Sequence, residues 1–189
     1  MPADDRRSRE REARRRLILA TARRIAEAEG WEAVTTRRLS AEVEYSQPVL
    51  YKHFASMEHL ADAVAVDGFG ELAEAMRAAR SDTDVATDAV ARIAQAYLDF
   101  ARENPAVYDA MFARATSLRF AAEDTPPELT AAFAELRQAV ALVADEGDAD
   151  AVTEVLWAAL HGLVTLGRTG RLRPGYDAER LALLVDRFS

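Results

Sequence analysis

Thr35–Phe54, TTRRLSAEVEYSQPVLYKHF, carries the most specific local pattern of the chain. Thr35 is a favourable N-cap, and Leu39 and Val43 form an i/i+4 apolar pair on one face of a helix running from Arg37 to Val43. Glu44-Tyr45 breaks that period, and Ser46 can cap a new start. Pro48 falls in the new first turn, where its missing N–H costs little. Val49, Leu50 and Phe54 can anchor this second helix, which leaves Gln47, Tyr51, Lys52 and His53 for the outside. Two short helices joined by a tight turn, the second with a polar outer face, make the layout of a DNA-reading helix-turn-helix.

Outward from this stretch nearly every segment has helical period, and none alternates convincingly with period two, so the expected fold class is all-α. A first helix is expected over about Arg9–Glu29, with Leu17, Ala20, Ile25 and Ala28 as its buried stripe and Gly30 as its stop. Trp31 and Val34 follow as core residues. Ser56 can cap a long helix from Met57 to about Arg80, with Leu60, Val64, Phe69, Leu72 and Met76 inward and Gly68 and Gly70 in its middle. Ser81-Asp82-Thr83 reads as a break. Val85–Glu103 is amphipathic, Pro105–Ala113 is short and apolar, and Thr116–Pro127 has no clean period and reads as a mobile connection. Glu128–Glu146, Ala149–Gly167 and Ala178–Phe188 complete about nine helices, with a reset at Gly147-Asp148 and a cap at Asp177. Residues 1–55 are expected to form the helix-turn-helix domain. Residues 56–189 are expected to form a helical ligand-binding and dimerisation domain, entered through the long helix at about 57–80.

Composition narrows the function classes. The 189-residue chain has no cysteine, which excludes disulfides and thiol catalysis and fits a cytoplasmic protein. No window approaches eighteen uncharged residues, so neither a membrane span nor a membrane partner is expected. LILATA is too short for the apolar region of a secretory leader and is followed at once by Arg23 and Arg24. The net charge of −8 is unevenly divided. Residues 1–60 hold 12 Lys and Arg against 10 Asp and Glu, whereas residues 61–189 hold 12 against 22. Seven arginines lie between Arg6 and Arg16. A basic end on an acidic body presents positive charge to phosphate and keeps the rest soluble, although such a run also suits a solvated helix start laced with Glu–Arg pairs.

In its first sixty residues the chain resembles the DNA-binding domain of the tetracycline-repressor (TetR) family. An arginine-rich first helix, Gly30, Val34-Thr35, Arg37 and Leu39, and then Ser46-x-x-x-Leu50-Tyr51-x-His53-Phe54 appear in the family's order and spacing. Further on, Tyr97-x-x-Phe100-Ala101, Asn104-Pro105-x-x-Tyr108-x-x-Met111-Phe112 and Trp157-x-x-x-His161-Gly162 resemble one C-terminal type within that family. Two positions depart from its pattern. The turn usually carries Gly where this chain has Glu44, and the fourth helix often opens with a phosphate-contacting Lys where this chain has Met57.

The resemblance implies a homodimeric, ligand-responsive transcriptional regulator, a repressor of a palindromic double-stranded DNA operator, released by a small, mostly apolar effector. The candidate DNA-binding residues are Thr36, Arg37, Ser46, Gln47, Pro48, Val49, Tyr51, Lys52 and His53. Thr36 and Arg37 can reach phosphate or a base edge. Gln47 can pair with adenine, and Pro48 or Val49 can touch a thymine methyl. Tyr51, Lys52 and His53 fit as backbone clamps, and Ser46 can cap and contact phosphate together. The Arg6–Arg16 arm can follow the backbone or enter the minor groove. The candidate ligand-binding residues are Tyr97, Phe100, Tyr108, Met111, Phe112, Phe133, Trp157 and His161, although aromatics at helical spacing also serve as plain core. Helices at about 149–167 and 178–188 are the expected dimer faces, the first because it is apolar nearly all round. No cofactor is implied. A helical small-molecule-binding protein with weakened DNA binding is the competing reading, supported by Glu44 and Met57. An enzyme is not expected: the sequence has no thiol, no paired His–carboxylate spacing, no glycine-rich phosphate loop and no metal-ligand cluster.

Overall fold

The computed structural model describes residues 2–81, 86–114, 118–120, 122–123, 125–143 and 149–188. Among them are nine α-helices, one 3₁₀ turn and no strand, so the fold is all-α as the periodicity predicts. In chain order the helices are α1 (Pro2–Glu29), α2 (Thr36–Val43), α3 (Gln47–Tyr51), α4 (Met57–Ser81), α5 (Ala86–Glu103), α6 (Pro105–Phe112), α7 (Pro127–Val140), α8 (Ala149–Arg168) and α9 (Asp177–Phe188). The predicted residues Asp82, Thr83, Val85, Gly147 and Asp148, residues 144–146 at the end of the expected helix Glu128–Glu146, and part of the connection Thr116–Pro127 lie outside the described residues. The chain divides into two compact units, Met1–Gly68 with Asn104–Leu118 and Phe69–Glu103 with Arg119–Ser189.

In the first unit, α1 buries Ile18, Leu19, Thr21, Ala22, Ile25 and Ala26. This corrects the expected stripe: Leu17 is 46% exposed, and Ala20 and Ala28 are also exposed. Continued by a helical turn, the line through Leu17 and Ala20 runs into Arg24, whereas the line through Ile18, Ala22 and Ile25 carries no charge. Gly30, at φ 84°, stops the helix, and its N–H donates to the Ala26 carbonyl at 2.8 Å. A 3₁₀ turn, Trp31–Ala33, leads to Val34, which is buried.

The returning helix α6 is tied to α1 in the same unit by polar contacts that satisfy its free first-turn N–H groups. The Glu27 carboxylate accepts from the N–H groups of Ala106 and Val107, both at 3.0 Å. Arg23 donates to the Asn104 side-chain oxygen at 2.6 Å, and the Trp31 indole N–H donates to the Ala106 carbonyl at 2.8 Å. Gly68 of α4 lies so close to α6 that a Cβ there would collide with Val107 Cγ1. The glycine thus permits a close helix crossing inside a continuous helix.

In the second unit, α5 packs against α7, α8 and α9, and α7 packs against α8. Ile93, Tyr97, Leu129, Leu136, Val140, Leu156 and Leu160 form its buried centre. Glu135 of α7 is buried, and Arg77 of α4 donates to its carboxylate at 2.8 Å and Arg80 at 3.1 Å. The 20-residue α8 meets the length and apolarity of a membrane-spanning helix, with a mean hydropathy of 1.2. Its Thr153, Leu156, Leu160 and Val164 are buried, while Val155 and Leu166 are exposed.

Candidate functional site

Local chemistry builds the two-helix reader. The Thr35 hydroxyl accepts from the Arg38 N–H at 3.2 Å and caps α2, whose Leu39 and Val43 are buried. The turn is Glu44, Tyr45 and Ser46, and its first residue is left-handed, with φ 56° and ψ 32°. That conformation lets the N–H of Tyr45 reach back to the Ser40 carbonyl at 3.1 Å, closing α2. A Cβ makes this geometry unfavourable, so Glu44 carries strain that glycine avoids. Ser46 precedes α3 with extended backbone, but its side chain makes no capping bond. Its carbonyl accepts from the Val49 N–H at 2.9 Å. Pro48 lies in the first turn of α3, as expected. Ser56 caps α4 by accepting the His59 N–H at 3.2 Å.

Leu50 and Phe54 anchor the five-residue α3 and share one small cavity with Ile18, Leu39 and Leu60. Ser46, Gln47, Pro48, Lys52 and Arg37 are exposed, Tyr51 is 51% exposed, and Thr36, Val49 and His53 are half-buried. Thr36 Oγ1 lies 3.4 Å from the Tyr51 hydroxyl, which joins the start of α2 to the end of α3.

The charges nearby divide into committed and uncommitted ones. Arg38 pairs with Glu29 at 2.8 Å and Glu42 at 3.0 Å, and Arg24 pairs with Glu42 at 2.6 Å. The hydrogen bond from Arg38, then the charge of Arg24, hold the Glu42 carboxyl below its ordinary range. Arg37 and Lys52 make no ion pair among the described residues, and phosphate can recruit them at no cost in broken bridges. His53 sits against α1, its Nδ1 buried without a partner. Burial, followed by the charges of Arg11, Arg14 and Arg15, pushes its pKa down. Arg15 covers the Phe54 ring at 4.6 Å from its centroid. The arginine-rich start of α1 thus lies beside the end of α3.

The second unit holds an apolar cavity. Phe69, Leu72 and Met76 of α4 line it with Tyr97 of α5, Phe133 and Leu136 of α7, and Trp157 of α8. Phe120 completes the wall from outside any helix. The free space is only about 10 Å³, roughly one water. Of the aromatic residues singled out in the sequence, Tyr97, Phe133 and Trp157 meet here. Phe100 is buried on α5 without lining the cavity. Tyr108, Met111 and Phe112 belong to α6 and the first unit, where the Tyr108 and Phe112 rings lie 4.7 Å apart. His161 is half-buried on α8, 3.4 Å from Thr165 Oγ1, and burial pushes its pKa down. Sequence reasoning missed Phe120. Its signal is a single aromatic in a segment without helical period that ends at Pro126-Pro127. Among the described residues no group of three or more His, Asp or Glu is placed to hold a metal ion.

A helix-turn-helix with an exposed short second helix, joined to a separate helical unit, defines a DNA-binding protein of the all-α regulator class. A profile of bacterial regulatory proteins of the tetR family matches residues 18–64, and one of the tetracyclin repressor-like C-terminal domain matches residues 90–188. The chain belongs to the TetR family of transcriptional regulators. It is 31% identical over 165 residues to an uncharacterized HTH-type transcriptional regulator of Mycobacterium tuberculosis, covering 82% of this chain and 71% of that one. It is 31% identical over 99 residues to an uncharacterized HTH-type regulator of Bacillus subtilis, covering 50% of this chain and 49% of the relative, about half its length. A solved structure of a protein of unknown function from Rhodococcus sp. RHA1 is similar at a TM-score of 0.78 and 27% identity, over 92% of each chain.

Proposed function

We propose that this chain is a cytoplasmic, homodimeric repressor that binds a palindromic operator and leaves it when a small, mostly apolar effector occupies the second unit. The observation that carries the reading is the pairing, on one chain, of an exposed reader with uncommitted cations and a nearly filled apolar cavity walled by aromatic rings. In this reading Gln47, Pro48 and Val49 meet base edges in the major groove. Thr36, Arg37, Ser46, Tyr51, Lys52 and His53 hold phosphates and set the register. Residues 1–55 act as the reader and 56–189 as the sensor and dimerisation domain.

Supporting a dimer, Val155 (60% exposed), Leu166 (40%) and Leu183 (63%) leave large apolar groups on α8 and α9 open to a second copy. The effector would shift the population towards a dimer whose α4 helices are repositioned, so that the two recognition helices no longer match successive major grooves. Selection of bound duplexes from random DNA tests the proposal. Two inverted half-sites about one helical turn apart, or a little more, are expected. Absence of any duplex binding at low salt would overturn it.

A further inference from the structure

We infer that Phe120 is a displaceable plug, and that the ligand taking its place is an uncharged, flat aromatic molecule. The inference rests on reading the cavity of the second unit as the effector site. With about 10 Å³ free, the cavity admits no organic molecule until one of its walls moves. Four of its five rings belong to helices, and of these Phe69 and Tyr97 are buried, at 2% and 0% exposure. Phe120 is different: it lies outside any helix, is 40% exposed, and still inserts between two rings of the wall.

Its contacts specify what replaces it. Phe120 meets Phe69 edge-to-face at a centroid distance of 5.4 Å and 78°, and Trp157 at 5.1 Å and 55°. Trp157 in turn meets Phe133 at 6.3 Å. A ligand that expels Phe120 inherits this pair of ring contacts, and these reward a π-system over a saturated ring of the same size. None of the lining residues carries a formal charge, so an ionised ligand would be desolvated without a counter-ion. Displacing Phe120 also exposes a side chain that now holds ring contacts. The native plug therefore weakens ligand binding by the fraction of time the site is open.

Calorimetric titration of the full chain with 2-naphthol, decahydro-2-naphthol and 2-naphthoate tests this. The naphthol is expected to bind about tenfold more tightly than its saturated counterpart, and the anion not measurably. Phe120→Ala opens the site and is expected to tighten 2-naphthol by about tenfold, whereas Phe120→Trp weakens it. Phe120→Leu, which keeps an apolar side chain but loses the ring pairing, tightens it by less and covers the case in which the alanine variant does not fold. Unchanged or weaker binding by both the alanine and leucine variants would overturn the plug. Equal affinity for the saturated ring, or no naphthol binding by wild type and Phe120→Leu alike, would overturn the ligand class. Duplex binding is read separately: a chain that takes naphthol but no DNA sinks the repressor reading and leaves the plug, and the reverse result does the opposite.

Discussion

The reader and the cavity are built on opposite principles. Helix α3 is five residues long, buries only Leu50 within its span, and turns Gln47, Pro48 and Tyr51 to solvent. The cavity of the second unit is walled by side chains from four helices and has almost no free space. In the reader, function lies in side chains that the fold does not need. In the second unit, the residues that would recognise a ligand are also those that hold the helices together. Damage to the first should therefore appear in binding, and damage to the second in stability. Each prediction below can break that contrast.

The largest effect is expected where a buried charge would lose its partners. The Glu135 side chain of α7 is 4% exposed, and Arg77 and Arg80 of α4 pair with its carboxylate. Replacing both arginines by alanine leaves the carboxylate buried and unpaired, at an expected cost of about 3–5 kcal/mol in urea unfolding. Glu135→Gln, which removes the charge and keeps most of the shape, should cost clearly less. A double variant as stable as wild type would show that the pairing contributes nothing to the second unit.

The reader should respond in the other way. Gln47→Ala is expected to reduce discrimination between the operator and single-base variants by about 1–3 kcal/mol, measured by competition binding. Its stability should stay within about 0.5 kcal/mol of wild type, because Gln47 is exposed. Lys52→Ala should weaken all duplexes alike and lower the salt slope by about one unit. A large loss of stability in either variant would mean that α3 is a structural element first.

Glu44 tests whether the turn between the two helices is tuned for binding or only tolerated. Its left-handed backbone, at φ 56°, is that of a residue with no Cβ. Glu44→Gly is expected to stabilise the chain by about 1 kcal/mol, read as a melting point higher by a few degrees, with operator affinity unchanged. A gain in stability with a loss of affinity would make the strain part of the recognition geometry.

How much was legible in the sequence follows the same division. Thr35, Glu44, Ser56 and the anchors Leu39, Leu50 and Phe54 act within a few residues of themselves, and capping and spacing rules locate them. The buried stripe of α1 was misplaced because alanines are compatible with either face, and only the position of Arg24 excludes the line through Leu17. Phe120 left only a faint local signal, since its role depends on rings brought together from distant helices. Tyr108 and Phe112 looked equivalent to Tyr97 in spacing. Which unit each helix joins is decided by contacts such as those of Glu27 with the start of α6, and no local pattern encodes these.

The smallest effect compares one histidine in each unit. Both His53 and His161 have pKa values pushed below the ordinary 6.5, so each binds its proton more readily in the unfolded chain. Their contribution to stability is therefore complete above that value and declines as pH falls through it. The causes differ. Burial leads in both, but His53 also faces Arg11, Arg14 and Arg15. Added salt screens the arginines and leaves burial untouched, so the His53 pKa should rise with ionic strength by more than that of His161. Operator DNA, if its phosphates lie against the same arginines, should raise His53 further and move His161 less. NMR titration of the two imidazoles at low and high salt, with and without duplex, reads all of this in one protein. Parallel shifts of the two rings would mean that the arginine-rich start of α1 does not set the field at the end of α3.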